Sequence, residues 1–177
     1  LSAEGETVAQ NQGYLDASGY LYITGRIKEQ YKLENGKYVV PSPLEEKLKL
    51  SPYVLNALVY GDNKPVNVAI LCANTDAVKK FAEQQGLGAQ STEALLENPR
   101  VRELFKSELE KYMADFKGFE AVKEFAIIGE DFTTDNGMLT PSLKVKRRKV
   151  MEKYGKLIDG LYAKKREKRE QAASQAN

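Results

Sequence analysis

Apolar positions along this chain recur with two periods, and the switches between them predict its elements. The runs Gly13-Tyr-Leu15 and Gly19-Tyr-Leu-Tyr-Ile23 flank the turn cluster Asp16-Ala-Ser-Gly19, which predicts a β-hairpin. A second hairpin is predicted where Tyr31-Lys-Leu33 and Tyr38-Val-Val40 flank Asn35-Gly36, a dipeptide that favours the positive φ angles of a type I′ turn. Tyr53 to Tyr60 and Val66 to Ala73 have strand length and composition, split by Gly61-Asp-Asn-Lys-Pro65. The second is almost wholly apolar, as a strand covered on both faces must be. Val122 to Ile128 is a third core strand.

The 3.6-residue period appears between these runs. Ser42-Pro-Leu-Glu45 opens a helix, with Ser42 as cap, Pro43 at the first position and Glu45 completing a capping box. Thr75 is expected to cap a helix reaching Gln85, with Val78, Phe81 and Ala82 inward and Gly86 as its stop. A short helix spans Thr92 to Leu96, and Asn98-Pro99 then starts the strongest one, Arg100 to Phe116. Its Val101, Leu104, Phe105, Leu109, Tyr112, Met113 and Phe116 trace one apolar stripe. A loop from Gly129 to Leu143 leads to a last helix, Val145 to Tyr162, followed by a charged tail expected to be disordered. Three strands interleaved with helices describe a small α+β (mixed α/β) domain. The expected division is residues 1–24 as the tail of a preceding domain, 25–30 as a linker, 31–162 as the domain itself and 163–177 as the tail.

Composition narrows the chemistry. The chain has 177 residues and a net charge of +2, yet Lys144 to Glu170 holds 12 Lys or Arg against 4 Asp or Glu. A basic stretch of this kind meets something anionic or is simply a solvated face. There is no histidine, which excludes a Ser-His-Asp or Cys-His centre within this chain and argues against zinc. The single Cys72 cannot form an internal disulfide and reads as a buried small hydrophobe, so a reducing, cytoplasmic setting is expected. No basic region followed by an apolar segment begins the chain, and no signal peptide is expected.

Two long motifs carry a resemblance. The first is Gly19-Tyr-Leu-Tyr-Ile-Thr-Gly-Arg-Ile-Lys-Glu-Gln-Tyr-Lys-Leu33, continuing through Gly36-Lys-Tyr-Val-Val-Pro41 and Leu44-Glu45. The second, about 110 residues later, is Phe132-Thr-Thr-Asp-Asn-Gly-Met-Leu-Thr-Pro-Ser-Leu-Lys-Val-Lys-Arg-Arg-Lys-Val150. They resemble the hinge motif and the terminal lysine motif of the adenylate-forming superfamily, the latter as long-chain acyl-CoA synthetases write it. The resemblance implies the C-terminal lid of a long-chain fatty acid–CoA ligase, joined to its own N-terminal nucleotide-binding domain. ATP, Mg2+, coenzyme A and a fatty acid are the implied cofactors and substrates, with ATP and Mg2+ held mainly by the N-terminal domain. This chain has no Gly-x-x-x-x-Gly-Lys-Ser/Thr pattern and no Ser/Thr/Gly-rich phosphate loop, so alone it is expected to be inactive.

The same resemblance implies residue roles. Lys144 falls at the catalytic lysine, Lys28 at the hinge residue, and Arg26 at an arginine that meets the ribose or phosphates of the nucleotide. Gly36 matches a loop entering the coenzyme A channel. Where family members usually carry Thr-Gly-Asp, this chain has Ala9-Gln10-Asn11; Asn11 can hydrogen-bond a ribose hydroxyl without supplying charge. A solvated lysine, a linker lysine, a structural salt bridge and a plain hairpin turn are the competing readings of Lys144, Lys28, Arg26 and Gly36. Among whole-chain alternatives, a fatty acyl-AMP ligase or other adenylating lid would stop at the adenylate. A basic nucleic-acid-binding module lacks zinc spacing, a helix-turn-helix pattern or paired stacking aromatics, so no nucleic-acid partner is expected. A basic helix at Lys144 to Arg169 with a thin apolar face suits at most a weak peripheral membrane contact.

Overall fold

The computed structural model describes residues 11–26, 30–88 and 90–175, and the side-chain environments of 15–20, 30–88 and 90–164. The elements are β1 (Asn11–Leu15), β2 (Leu21–Arg26), β3 (Tyr31–Lys32), β4 (Tyr38–Val39), α1 (Pro41–Leu48), β5 (Val54–Tyr60), β6 (Asn67–Ala73), α2 (Thr75–Gln84), α3 (Thr92–Glu97), α4 (Pro99–Met113), β7 (Val122–Ile128) and α5 (Arg147–Gln175). Among the described residues β1–β2 and β3–β4 form separate hairpins, and β5, β6 and β7 form the central sheet in that order. β5 runs antiparallel to β6, and β7 runs parallel to it.

Strand alternation sends the two faces of this sheet to two cores. Ala57, Val59, Ala69, Leu71 and Phe125 meet α1 to α4 through Leu44, Leu48, Val78, Leu95, Val101, Phe105 and Leu109. Leu58, Val68, Ile70, Cys72 and Ala126 face the other way, onto Val150, Ile158 and Leu161 of α5 and onto Phe132, Met138 and Leu139 of the preceding loop. The mixed α/β domain is therefore a three-layer sandwich. Central β6 is buried at every residue, as its unbroken apolar run requires. Cys72 lies in the second core, and burial pushes its thiol well above the ordinary range. It packs as a small hydrophobe.

Several local expectations need correcting. Both hairpin turns use a single left-handed residue: Gly19 and Gly36 each have φ +82°. Asn35 is not left-handed, so the second hairpin has a three-residue loop with a glycine bulge in place of type I′. α1 starts two residues earlier than predicted, with Val40 as cap, Pro41 in the first turn and no side-chain capping bond. Ser42 and Glu45 lie inside the helix, and Glu45 is drawn into the core. Asn74, rather than Thr75, caps α2, accepting from the Ala77 N–H at 3.3 Å. α4 ends at Met113, and Phe116 follows in a turn while still packing on the core.

The largest difference is the tail. Disorder was expected after Tyr162, but α5 continues to Gln175. Lys, Arg, Glu, Ala and Gln are strong helix formers, and a helix already nucleated on a core adds each further turn cheaply. Its anchored half uses its apolar side chains, Val150, Ile158 and Leu161, against the sheet. The peripheral membrane contact expected from this helix thus has no apolar stripe left to make it within the described side chains. No helix among the described residues is long and apolar enough to cross a membrane.

Candidate active site

The segment between β7 and α5 was expected as a loop, and it is a heavily bonded one. Asp131 Oδ1 accepts from Asn56 Nδ2 at 2.7 Å and from the Phe132 N–H at 2.8 Å. Asn136 Oδ1 accepts from the Thr133 and Met138 N–H groups at 3.0 and 3.2 Å, while its Nδ2 donates to the Asp131 carbonyl at 2.8 Å. Gly137 supplies the left-handed residue that lets the chain fold back, at φ +73°. Phe132, Met138 and Leu139 then sink into the second core.

From this base a tight turn rises. The Lys146 N–H donates to the Met138 carbonyl at 2.7 Å, and Leu139 bridges Val145 in antiparallel fashion. The Thr140 N–H donates to the Lys144 carbonyl and the Leu143 N–H to the Thr140 carbonyl, both at 2.8 Å. The Lys144 N–H donates to Thr140 Oγ1 at 3.0 Å. Leu143 sits at φ +59°, a conformation that costs a non-glycine residue about 1–2 kcal/mol. Residues 141–144 are all exposed.

Electrostatics distinguish Lys144 from most of its neighbours. Arg147 is held by Glu45, Arg148 and Lys149 by Glu152, and Lys153 by Glu130. Neither Lys144 nor Lys146 has a side-chain hydrogen bond or ion pair among the described residues. Much of the positive charge of the early α5 is thus neutralised internally, while the ammonium at the turn stays available.

What fixes the turn to the body is a pair that sequence reasoning missed. Arg147 Nη2 donates to both carboxylate oxygens of Glu45, at 2.6 and 2.7 Å, and its Nη1 donates to the Val59 carbonyl at 2.9 Å. Glu45 Oε1 also accepts from the Val59 N–H at 2.7 Å. Val59 lies on the edge strand β5, so two side chains take the place of a missing neighbour strand there. Glu45 is only 6% exposed. One signal was readable: an acidic residue between Leu44 and Leu48 on a helix with an inward stripe. A second clamp joins Glu130 to Lys153 and Tyr154 of α5. The hydrogen bond from the Lys153 ammonium, followed by that from the Tyr154 hydroxyl, holds the Glu130 carboxyl below its ordinary range.

The other predicted residues lie apart from this turn in the element order. Asn11 and Arg26 are direct cross-strand partners at the open end of the β1–β2 hairpin. Gly36 stands at the tip of β3–β4, exposed, where an added Cβ would meet only Lys32 Cε at 3.9 Å. That hairpin is tied to the loop after β5, since the Glu34 N–H donates to the Lys64 carbonyl and the Asn63 N–H to the Lys32 carbonyl. Lys28 lies outside the described residues. No three His, Cys, Asp or Glu side chains among the described residues come together as a metal site.

The site is thus a three-layer domain in which a pinned turn with the exposed Lys144 leads into α5. The chain belongs to the AMP-binding enzyme C-terminal domain family, whose model matches residues 28–166. It is 33% identical over 153 residues to the long-chain-fatty-acid–CoA ligase FadD15 of Mycobacterium tuberculosis, covering 86% of this chain and 26% of that protein. It is also 33% identical over 156 residues to long-chain-fatty-acid–CoA ligase 1 of Schizosaccharomyces pombe, covering 85% and 23%. Its structure matches the adenylation domain of a carboxylate reductase from Mycobacterium chelonae with a TM-score of 0.71 at 25% identity, covering 88% of this chain and 23% of that one. The chain spans about a quarter of the length of the curated relatives it matches.

Proposed function

We propose that this chain is the C-terminal catalytic lid of a long-chain fatty acid–CoA ligase. Such an acid–thiol ligase works in two half-reactions. A carboxylate oxygen attacks the α-phosphorus of ATP, giving acyl-adenylate and releasing pyrophosphate. The coenzyme A thiol then attacks the acyl carbon, and AMP leaves with the bonding pair of the C–O bond.

The observation that carries this reading is Lys144, an exposed ammonium without a partner on a turn whose base is clamped into the core. Adenylation brings an anionic carboxylate to a phosphate on which further negative charge develops. An ammonium bridging the two relieves that repulsion, and a long flexible stem delivers and withdraws it. Residues 1–24 are then the tail of the nucleotide-binding domain, 25–30 the hinge and 31–162 the lid. Lys28 is the pivot, Arg26 and Asn11 meet the nucleotide, and Gly36 lines the coenzyme A channel. ATP, magnesium and the acyl chain are held mainly by the N-terminal domain. The matched ligases favour this reading over an adenylate-only or nucleic-acid-binding one.

The test uses the full-length enzyme and two assays. Lys144→Ala is expected to slow adenylation, read by pyrophosphate exchange, by about 10²–10³-fold. Thioester formation from supplied acyl-adenylate should be largely spared. Equal losses in both would remove Lys144 from this role. In the same assays Lys28→Pro, which fixes φ near −65°, should separate the half-reactions; wild-type rates in both would put the pivot elsewhere.

A further inference from the structure

Three turns of this chain share one geometry. In Asp16–Gly19, Leu33–Gly36 and Thr140–Leu143 the fourth N–H donates to the first carbonyl, at 3.0, 2.9 and 2.8 Å. In each the fourth residue is left-handed, with φ of +82°, +82° and +59°. Two of the turns place glycine there, the residue that adopts this conformation without strain. The third places Leu143, and its side chain is 66% exposed. Leu143 therefore strains the backbone and leaves apolar atoms in water, and no core of the described fold receives it. A departure from local rules with no gain inside the fold points to a gain outside it. Leu143 rides on the same exposed apex as Lys144, so whatever surface receives the lysine also receives the leucine.

We propose that Leu143 is a positioning residue for the first half-reaction: its side chain packs on an apolar patch of the N-terminal nucleotide-binding domain and seats Lys144 at the adenylate. This rests on the lid reading above. The chain spans about a quarter of its relatives' length, so that receiving surface belongs to the remainder of the enzyme. The contact exists only in the adenylating orientation, and its binding energy therefore goes into adenylation and not into thioester formation.

The experiment compares Leu143→Gly, Leu143→Ala and Leu143→Met in the full-length enzyme, with Lys144→Ala as control. Pyrophosphate exchange is measured with a medium and a long fatty acid, thioester formation with supplied acyl-adenylate, and melting temperature for each variant. Glycine is expected to leave the melting temperature unlowered yet slow adenylation about tenfold or more, the effect of losing several methylenes from an apolar contact. Alanine should slow it similarly, and methionine should stay within about threefold of wild type, because it conserves volume and polarity. Thioester formation should not change. Alanine at the wild-type adenylation rate would overturn the proposal, since the side chain would then have no contact to lose. A loss that depends on acyl length would also overturn it, by placing Leu143 against the substrate. If Lys144→Ala leaves adenylation intact, the lid reading itself has failed, whatever the Leu143 series shows.

Discussion

Replacing Arg147 with alanine tests what holds the turn that carries Lys144 to the body. Arg147 donates three bonds, two to Glu45 and one to the Val59 carbonyl. Alanine removes all three bonds and leaves the Glu45 carboxylate buried beside the Val59 N–H. Breaking a buried pair from one side costs about 3–5 kcal/mol. The Arg147 side chain is 28% exposed, so the pair is partly screened and the lower end, about 3 kcal/mol, applies. For a chain of this size each kcal/mol moves the melting temperature by about 2–4 °C, so a fall of roughly 6–12 °C is expected. Glu45→Gln should cost less, about 1–1.5 kcal/mol, because its amide oxygen still accepts from the Val59 N–H and Arg147 retains some water. Thermal unfolding followed by circular dichroism gives both values. Arg147→Ala melting within about 2 °C of wild type, or Glu45→Gln proving the costlier change, would refute the assignment of this pair as the clamp.

Two further outcomes follow from packing and charge. Gly61→Ala should destabilise by about 2–3 kcal/mol in urea unfolding, because the new Cβ would stand 2.4 Å from Asn67 Oδ1 and 2.9 Å from side chains of Leu33 and Tyr31; an unchanged midpoint would contradict the close approach. Glu130 has a folded-state pKa below its unfolded one, so its contribution is present above the ordinary carboxylate range and is lost as pH falls through the folded value. Glu130→Gln should therefore be less stable than wild type at pH 7, and the gap should shrink on acidification below about pH 4. A gap that widens would reverse the sign.

Much of this fold was legible because period and burial agree. β6 was readable from its apolar run, β7 from Val122 to Ile128, and α4 from its stripe. The turns and caps were less legible, since Ser42, Thr75 and Asn35 are all competent in the predicted roles. The choice among neighbours was made by tertiary contacts: burying Glu45 against Arg147 required Ser42 and Glu45 to lie inside α1. α5 went the other way, because composition describes solubility and helix propensity with the same residues, and a docked first half extends the helix through its tail. At the candidate site, the motif singled out the exposed turn and Lys144 as a candidate. Its clamp was not, because Glu45 and Arg147 are 102 residues apart and nothing in a single sequence pairs them.

The placement of α5 also sets an order of events during synthesis. By Ile128 the emerging chain already contains all three strands of the central sheet and the four helices that cover one face. Among the described residues the opposite face, with Leu58, Val68, Ile70 and Cys72, is covered by side chains of residues 132–161. Chains fold as units when the necessary segments become available. A half-made domain would therefore expose an apolar sheet face to the ribosome's surroundings, and α5 would close it last. Since Arg147 opens that helix, the lysine's turn is secured by the same step that removes the sticky surface. An incompletely made chain would carry the aggregation hazard without the turn that presents Lys144.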